Sequence, residues 1–328
     1  MELDKIRFIG RYILKDDKPF FSYSGCGFSF NIQPKAKDFS FTLYLTSELR
    51  ECDCHYIGIY INDIFHKKEK LINRGNKIHI SLINNNKEIN IKVIKLNETY
   101  NSSIYLDDII LNNAIFLDIK PSHKPLIGFF GDSLTCGFGL LELRGETFKM
   151  ETEEFNKAYS YLTAKELDMD YTIIARSGIS IGIKIYCDLL FNEIYDTVDM
   201  YHKCSVEHNL DYAVINLGAN DNSALKEIIK EEDKPSSLHN FKAEYIKLVD
   251  NIIKDNPNVK LLLCHGMAEL LPELVNLIKE VKEYINSHYD NKCVIVEFKP
   301  NYDGACNHPY MTAHQEYSEV LINAIKSL

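Results

Sequence analysis

The sequence predicts an α/β chain of two parts, an all-β β-sandwich domain followed by a flavodoxin-like domain on a parallel five-stranded sheet. Up to residue 120, short runs alternate apolar and polar residues without helical spacing, which is typical of half-buried antiparallel strands. From residue 126, five apolar runs are separated by helical patterns, which indicates parallel strands with helices on both faces. Residues 121–125, with a proline at each end, break both patterns and are predicted to be the linker.

Composition sets limits on what the chain binds. With 328 residues it exceeds a usual single domain, and 45% hydrophobic with 26% charged residues is ordinary for a protein with sizeable cores. The net charge of -10 argues against nucleic acid, because phosphate binding needs clustered Lys and Arg. No run is long enough to be a membrane helix. We therefore expect neither a nucleic-acid nor a membrane partner, and the oligomeric state stays open.

The amino terminus and the cysteines favour a cytoplasmic location. Residues 1–21 lack the continuous apolar core of a signal peptide, unless a leader was removed. The nine cysteines are odd in number and scattered, which suits a reducing compartment. Cys52, Cys54 and His55 form a lone C-x-C-H group with no second ligand pair, so no metal site is expected.

In the first domain, strict or looser alternation predicts strands that are joined by polar turns. Turns are expected at 33–37, 62–63, 73–76 and 84–86, where Asn, Asp, Gly and Pro cluster. The predicted strands are 28–32, 39–43, 56–61, 77–82, 89–94 and 115–119.

In the second domain, buried strands and helices alternate. The predicted strands are 126–130, 171–175, 212–217, 259–264 and 293–298. The predicted helices are 153–167, 183–202, 241–254, 270–287 and 313–326.

The loops that follow the strands carry the residues that could do chemistry. Open α/β sheets bind ligands at the carboxyl ends of their strands. Asp132-Ser133 follows the first strand, 176–180 the second, 218–222 the third, and 307–309 comes after the fifth. Because these ends share one sheet edge, we expect the four loops to converge.

Acyl transfer needs a nucleophile, a base and donors for the oxyanion, and each role has a candidate. Ser133 is the candidate nucleophile and its N–H one donor, Gly178 offers a backbone N–H, Asn220 a side-chain amide, and His308 a base. Taken singly, Asp132-Ser133 and Asn220-Asp221 also suit helix caps, Gly178 a turn, and His308 the surface. Their joint placement at the strand ends favours catalysis.

These blocks resemble those of the SGNH or GDSL hydrolases, which are esterases and lipases of flavodoxin-like fold. Residues 131–134 (GDSL), Gly178, 218–221 (GAND) and His308 match the family's four blocks in order. The start at 9–11, the segment 92–98, the preceding β-domain and Gly304 with His308-Pro309 look more specifically like carbohydrate esterase family 2, whose members carry a jelly roll and remove acetyl groups from saccharides.

By that resemblance, Ser133 is the nucleophile, His308 the base, and Ser133, Gly178 and Asn220 form the oxyanion hole. The wider family places an Asp three residues before the His, where this chain has Ala305, and Cys306 is no carboxylate either. Asp303 is the remaining candidate for a third member. Some members of family 2 hold the imidazole with a backbone carbonyl, and a Ser-His dyad is the preferred interpretation here.

The predicted function is therefore a serine esterase that deacetylates a saccharide or oligosaccharide through an acetyl-enzyme, without a metal or other cofactor. A lipase or thioesterase of the same superfamily and a saccharide-binding protein without catalysis are the alternatives. His265 and His314 are interpreted as structural, and Asp221 as bracing its loop. Which sugar and which hydroxyl are deacetylated stays open.

Overall fold

The structure is a computed structural model that describes residues 2–83 and 87–328. The chain folds into two compact units. One runs up to His123 and includes Val198–Cys204, and the other comprises Lys124–Thr197 and Ser205–Leu328. The division falls inside the predicted linker at 121–125.

The first unit contains two antiparallel sheets. One has the strand order β1-β4-β9-β6-β7, with β11 also paired to β4, and the other has the order β2-β3-β10-β5-β8. The strands are β1 (Arg7–Ile9), β2 (Ile13–Lys15), β3 (Lys18–Phe21), β4 (Gly27–Pro34), β5 (Asp38–Leu49), β6 (Cys54–Ile61), β7 (Ile64–Ile72), β8 (Arg74–Ile83), β9 (Ile89–Lys95), β10 (Ser102–Asn112) and β11 (Ala114–Phe116).

The alternation of apolar and polar residues gives such strands one buried face and one more exposed face. In β4, Phe28, Phe30 and Ile32 are fully buried or nearly so, while the residues between them are partly exposed. Apolar side chains on one face of a strand must be covered, and this produces the predicted β-sandwich. Asn62 and Asp63 have φ of 51° and 62° and join β6 to β7, as a two-residue hairpin turn requires.

Some predicted details of the first unit are wrong. Residues 74–76 belong to β8 and not to a turn, because β5 pairs with them and only Asn73 separates β7 from β8. The last strand is 114–116 rather than 115–119. The alternation of apolar and polar residues does not predict β7 and β10. Most of β7 is Lys, Glu or His, and two consecutive Asp residues interrupt the pattern in β10. The turn predicted at 84–86 lies outside the described residues.

The second unit has a parallel sheet with the strands β12 (Leu126–Gly131), β13 (Asp170–Ala175), β14 (Tyr212–Asn216), β15 (Lys260–His265) and β16 (Cys293–Glu297). Their order in the sheet is β13-β12-β14-β15-β16, which is the predicted flavodoxin-like order. Its helices are α1 (Ser133–Cys136), α2 (Tyr159–Glu166), α3 (Phe191–Ile194), α4 (Ala219–Glu227), α5 (Lys234–Asp255), α6 (Pro272–His288) and α7 (Met311–Lys326).

Hydrophobic spacing explains the long helices. On α5, the buried Phe241, Tyr245, Leu248 and Ile252 recur every three or four residues, so one face of the helix packs on the core. Pro235 lies in the first turn of α5 and Pro272 in that of α6, where a missing N–H costs nothing. The three predicted helices in the carboxyl-terminal half are confirmed, although α5 begins at residue 234 rather than 241.

The helix predicted at 183–202 is wrong. Only 191–194 are helical there, and the chain otherwise follows bends and turns. The backbone N–H of Ile183 donates to the Asp221 carboxylate, and the end of the segment packs in the first unit. The apolar residues of this segment are therefore buried by tertiary contacts and not on one face of a helix. The prediction at 153–167 is correct only in its second half, where α2 lies.

The segment Val198–Cys204 packs in the first unit. Its position in the chain, within residues 126–328, led us to expect it in the second domain. Tyr23 donates from its hydroxyl to the Asp199 carbonyl at 2.7 Å, and Arg50 lies 3.4 Å from the fully buried Asp199 carboxylate. Val198 joins a core cluster with Phe20 and Tyr105. The first unit is therefore completed by a distant part of the chain.

Within residues 2–83 and 87–328, no helix combines the length and the apolar character that crossing a membrane would require.

The end of β12 leaves no room for a side chain at Gly131. A Cβ there would clash with Thr135 Oγ1 and lie 3.1 Å from the Asn216 carbonyl oxygen. Gly131→Ala should therefore lower the free energy of unfolding by about 1–3 kcal/mol, as overpacking does. Gly75→Ala is the control, because a Cβ at Gly75 meets nothing within 4 Å. Urea unfolding measures both, and equal midpoints would contradict the prediction.

Candidate active site

Ser133 begins the short helix α1, and one residue separates it from the end of strand β12 at Gly131. Asp132 caps this helix, and its Oδ1 accepts a hydrogen bond from the Leu134 N–H at 3.0 Å. The predicted cap is therefore present, and it holds the turn that carries the serine. Ser133 is 7% exposed, so its hydroxyl is largely shielded from bulk water.

The loop that carries His308 is wound on itself. Gly304 donates its N–H to the His308 carbonyl at 2.8 Å, and His308 donates its own to the Ala305 carbonyl at 3.0 Å. Between them, Cys306 and Asn307 have φ of 51° and 58°, a left-handed conformation that non-glycine residues seldom adopt. This winding turns the Cys306 carbonyl back toward the imidazole.

The structure brings Ser133 and His308 into direct contact. His308 Nε2 lies 2.8 Å from Ser133 Oγ, and Nδ1 lies 3.1 Å from the Cys306 carbonyl oxygen. A carbonyl can only accept, so Nδ1 carries the hydrogen and Nε2 of the neutral ring is left to accept from the serine hydroxyl. This is the tautomer that a general base requires.

Apolar rings shield the imidazole. The Phe138 ring centroid is 4.8 Å from that of His308, and Phe148 stacks on Phe138 at 4.1 Å. Removal from water lowers the pKa of His308 below its usual 6.5, against the smaller opposing effect of the hydrogen bonds to the backbone at Cys306 and Ala305. The ring is therefore neutral at pH 7.

Asp303, the candidate third member, is not part of this arrangement. Its side chain is exposed, and its Oδ2 accepts from the Asn301 amide at 2.7 Å. The position that a carboxylate would occupy at Nδ1 is taken by the Cys306 carbonyl. The geometry is that of the preferred Ser-His dyad.

The two backbone donors predicted for the oxyanion are available. Within the described part of the chain, the N–H groups of Ser133 and Gly178 have no hydrogen-bond acceptor. Gly178 has φ of +77°, and a Cβ there would lie 2.9 Å from Tyr186 Cβ, so both conformation and space favour glycine. Such unsatisfied N–H groups are ready to bind an anion.

Asn220 is held in the same region by its amide. Nδ2 donates to the Ile179 carbonyl at 2.8 Å, and the second contact, to Asp132 Oδ2, is long at 3.4 Å. The first bond joins the loop after β14 to the loop after β13. The second hydrogen is only weakly engaged, so it is the one that could turn to a ligand.

Asp221 braces the loop after β13. Its carboxylate accepts from the N–H groups of Ile181 at 3.0 Å, Gly182 at 2.8 Å and Ile183 at 2.8 Å. Burial raises the pKa of Asp221 to about 6, although these three donors act in the opposite direction. The predicted bracing role thus has a defined geometry, and it fixes the chain just beyond Gly178.

The other predicted histidines lie in or near the core. His314 is fully buried, its Nδ1 accepts from the Tyr159 N–H at 3.2 Å, and burial lowers its pKa to about 3. His265 is buried at the end of β15, and burial lowers its pKa as well. Across residues 2–83 and 87–328, no group of three or more His, Cys, Asp or Glu side chains is placed to hold a metal ion.

Some parts of the site have no signal in the sequence. The role of Cys306 is carried by its carbonyl, which every residue has, so no residue type could reveal it. Phe138 contacts His308 from 170 positions away, and its position between Gly137 and Gly139 indicates only a loop. Arg176 follows a predicted strand, but its residue type there indicates no particular role in acyl transfer.

Comparison with known proteins gives matches for both parts of the chain. The family model of GDSL-like lipases and acylhydrolases matches residues 127–328. The cellulase/esterase CelE of Acetivibrio thermocellus is 28% identical over 221 residues, 62% of this chain. An acetylxylan esterase/glucomannan deacetylase of Cellvibrio japonicus is 25% identical over 219 residues, 63% of this chain. The chain spans 26% and 60% of the lengths of these two relatives.

A solved structure is similar over both units. It is a family two carbohydrate esterase from Clostridium thermocellum in complex with cellohexaose, with a TM-score of 0.85 at 20% identity, covering 98% of each chain. At this identity the likeness establishes the fold, a parallel sheet domain preceded by antiparallel sheets.

Removing the Asp221 brace should destabilise the loop after β13. Asp221→Ala leaves three buried N–H groups without an acceptor. We therefore expect the free energy of unfolding at pH 8 to be about 3 kcal/mol lower than in the parent. Asp221→Asn keeps one acceptor oxygen, so its loss should be smaller. Urea unfolding measures both variants against Asp290→Ala, an exposed control. An alanine variant as stable as this control would contradict the bracing role.

Proposed function

We propose that this chain, which belongs to the GDSL-like lipase and acylhydrolase family, is a serine esterase that removes O-acetyl groups from a saccharide. The observation that carries the proposal is the hydrogen bond of 2.8 Å between Ser133 Oγ and His308 Nε2. It joins a nucleophile to a base whose other nitrogen is already held by a carbonyl.

In the first half of the reaction, Ser133 Oγ attacks the acetyl carbonyl carbon while His308 Nε2 takes the hydroxyl proton. The imidazolium that forms is stabilised by its Nδ1–H bond to the Cys306 carbonyl. It then gives the proton at Nε2 to the departing sugar oxygen, and an acetyl group remains on Ser133.

The negative charge on the carbonyl oxygen needs donors as the tetrahedral intermediate forms. The N–H groups of Ser133 and Gly178 serve as two of them, since neither has another acceptor within the described chain. Asn220 supplies a third through the Nδ2 hydrogen that makes only the long 3.4 Å contact with Asp132. In the second half, His308 activates a water that releases acetate and restores Ser133.

The choice of an acetyl ester of a saccharide rests on the relatives. One is a cellulase/esterase, one is an acetylxylan esterase and glucomannan deacetylase, and the similar solved structure is a carbohydrate esterase bound to cellohexaose. These names support an O-acetylated oligosaccharide as the substrate class.

Replacing the nucleophile tests the reaction. Ser133→Ala should lower acetate release from p-nitrophenyl acetate and from acetylated cello-oligosaccharides by about 10³-fold or more, because no other group forms the acyl-enzyme. The exposed Ser287→Ala is the matched control and should keep parental activity. Parental turnover in Ser133→Ala would contradict the proposal.

The same assay separates the alternatives. A chain-length series of p-nitrophenyl esters should favour acetyl, whereas preference for long acyl chains would indicate a lipase or thioesterase. A parent protein that binds the acetylated oligosaccharide and releases no acetate would indicate a saccharide-binding protein without catalysis.

The pH dependence tests the dyad. His308 must be neutral to act as base, so kcat/KM is lost as the pH falls through its pKa, and burial lowers that pKa below the usual 6.5. We therefore expect the acid limb of kcat/KM to have its midpoint below 6.5. Asp303→Asn should leave this midpoint unchanged. A midpoint above 7, or one that moves in Asp303→Asn, would indicate a carboxylate partner instead.

A further inference from the structure

Arg176 lies beside the peptide group that carries the Gly178 N–H. It is the first residue after β13 and only 8% exposed. Its guanidinium Nη1 donates to the Ser177 carbonyl at 2.5 Å. A Cβ built at Gly178 would be 3.3 Å from this Nη1, so the guanidinium also packs directly on the glycine.

The Ser177 carbonyl and the Gly178 N–H are the two ends of one peptide group. The group is planar and trans, so its C=O and N–H point in opposite directions. A cation at the carbonyl therefore sits at the opposite end from an oxyanion at the N–H. A donor at the oxygen polarises the amide and makes its N–H a stronger hydrogen-bond donor, and a charged donor does this more than a neutral one.

Glycine alone would not hold this peptide group in place. Glycine adopts many backbone conformations, so Gly178 tolerates a φ of +77°. The same freedom leaves the direction of its N–H poorly fixed. Asp221 fixes the chain from Ile181 onward, and Asn220 holds the Ile179 carbonyl. Both contacts come after Gly178, so the Ser177–Gly178 peptide group needs a separate anchor on its other side. Arg176 supplies that anchor from within the same loop.

Arg176 brings a full positive charge to this contact, since its guanidinium is a cationic hydrogen-bond donor. Burying such a charge is costly unless hydrogen bonds compensate. A neutral side chain could anchor the carbonyl at lower cost, which makes the positive charge the distinctive feature of this contact.

We propose that Arg176 is a positioning residue for the oxyanion hole: its guanidinium holds and polarises the Ser177–Gly178 peptide group so that the Gly178 N–H binds the developing oxyanion. The inference rests on the proposed esterase function and adds to it a residue that acts through Gly178 and does not contact the substrate.

Two variants test the role of the charge. Arg176→Gln should lower kcat for p-nitrophenyl acetate about tenfold, less than the 10²–10³-fold typical of deleting an oxyanion donor, because the N–H itself remains. KM should stay within about twofold, since the effect is confined to the transition state. Arg176→Lys, which keeps a cation, should recover part of the lost kcat.

A tetrahedral inhibitor supplies the readout that a structural role would not give. Methylboronic acid forms a tetrahedral adduct with a serine nucleophile, and its dissociation constant should rise in Arg176→Gln by the same factor as kcat/KM falls. Arg144→Gln is the matched control, as the other arginine of the second unit, and should match the parent in both measurements.

Each outcome decides the inference. Parental kcat in Arg176→Gln, or a lowered kcat with unchanged boronate affinity, overturns it. If the glutamine variant does not fold, Arg176→Met, uncharged and of similar length, takes its place under the same criteria. Ser133→Ala is measured in parallel: activity there overturns the proposed function, whereas an inactive Ser133→Ala beside a parental Arg176→Gln overturns only this inference.

Discussion

The hydrogen bond between Ser133 and His308 is the contact on which the rest of the site depends. The two residues are 175 positions apart, and no local preference brings them together. A parallel sheet does so, because the carboxyl end of its strand β12 lies at the same edge as the segment that enters the last helix. The core of the second unit is therefore the scaffold that brings this serine and this histidine together.

The loops at this edge are held by backbone hydrogen bonds more than by charge pairs. The His308 loop closes on itself through Gly304 and Ala305, and the Cys306 carbonyl then takes the place where a carboxylate is expected. A carbonyl orients the imidazole but adds no full negative charge, so burial dominates and the pKa of His308 falls. With a lowered pKa, the imidazole is neutral at physiological pH and can accept a proton.

The loop after β13 is likewise held through its backbone groups. Asp221 binds three consecutive N–H groups on one side of the loop, and Arg176 holds a carbonyl on the other. Between them lies Gly178, whose N–H has no acceptor within the described residues. An acidic and a basic side chain thus position one backbone donor without contacting the place where the substrate reacts.

Much of this was predictable from the sequence, for physical reasons that also explain the failures. Buried strands need continuous apolar runs and amphipathic helices need a 3.6-residue period, so the five parallel strands and the three long helices near the carboxyl terminus followed from pattern. The flavodoxin-like order was the expectation for five such strands, and the family resemblance supported it. The segment 183–202 carries a helical pattern, yet Asp221 takes one of its N–H groups and Val198–Cys204 packs in the first unit. Tertiary contacts overrode the local preference there.

The sequence by itself determined the residue types at the strand ends, Ser133, Gly178, Asn220 and His308. A hydroxyl, an amide and an imidazole each belong to particular residue types, and the φ of +77° at Gly178 favours glycine. Only the tertiary structure decided what orients His308 and what holds Gly178. The Cys306 carbonyl orients His308, and Arg176 holds Gly178 through the Ser177 carbonyl. A carbonyl leaves no mark in the sequence, because every residue carries the same one.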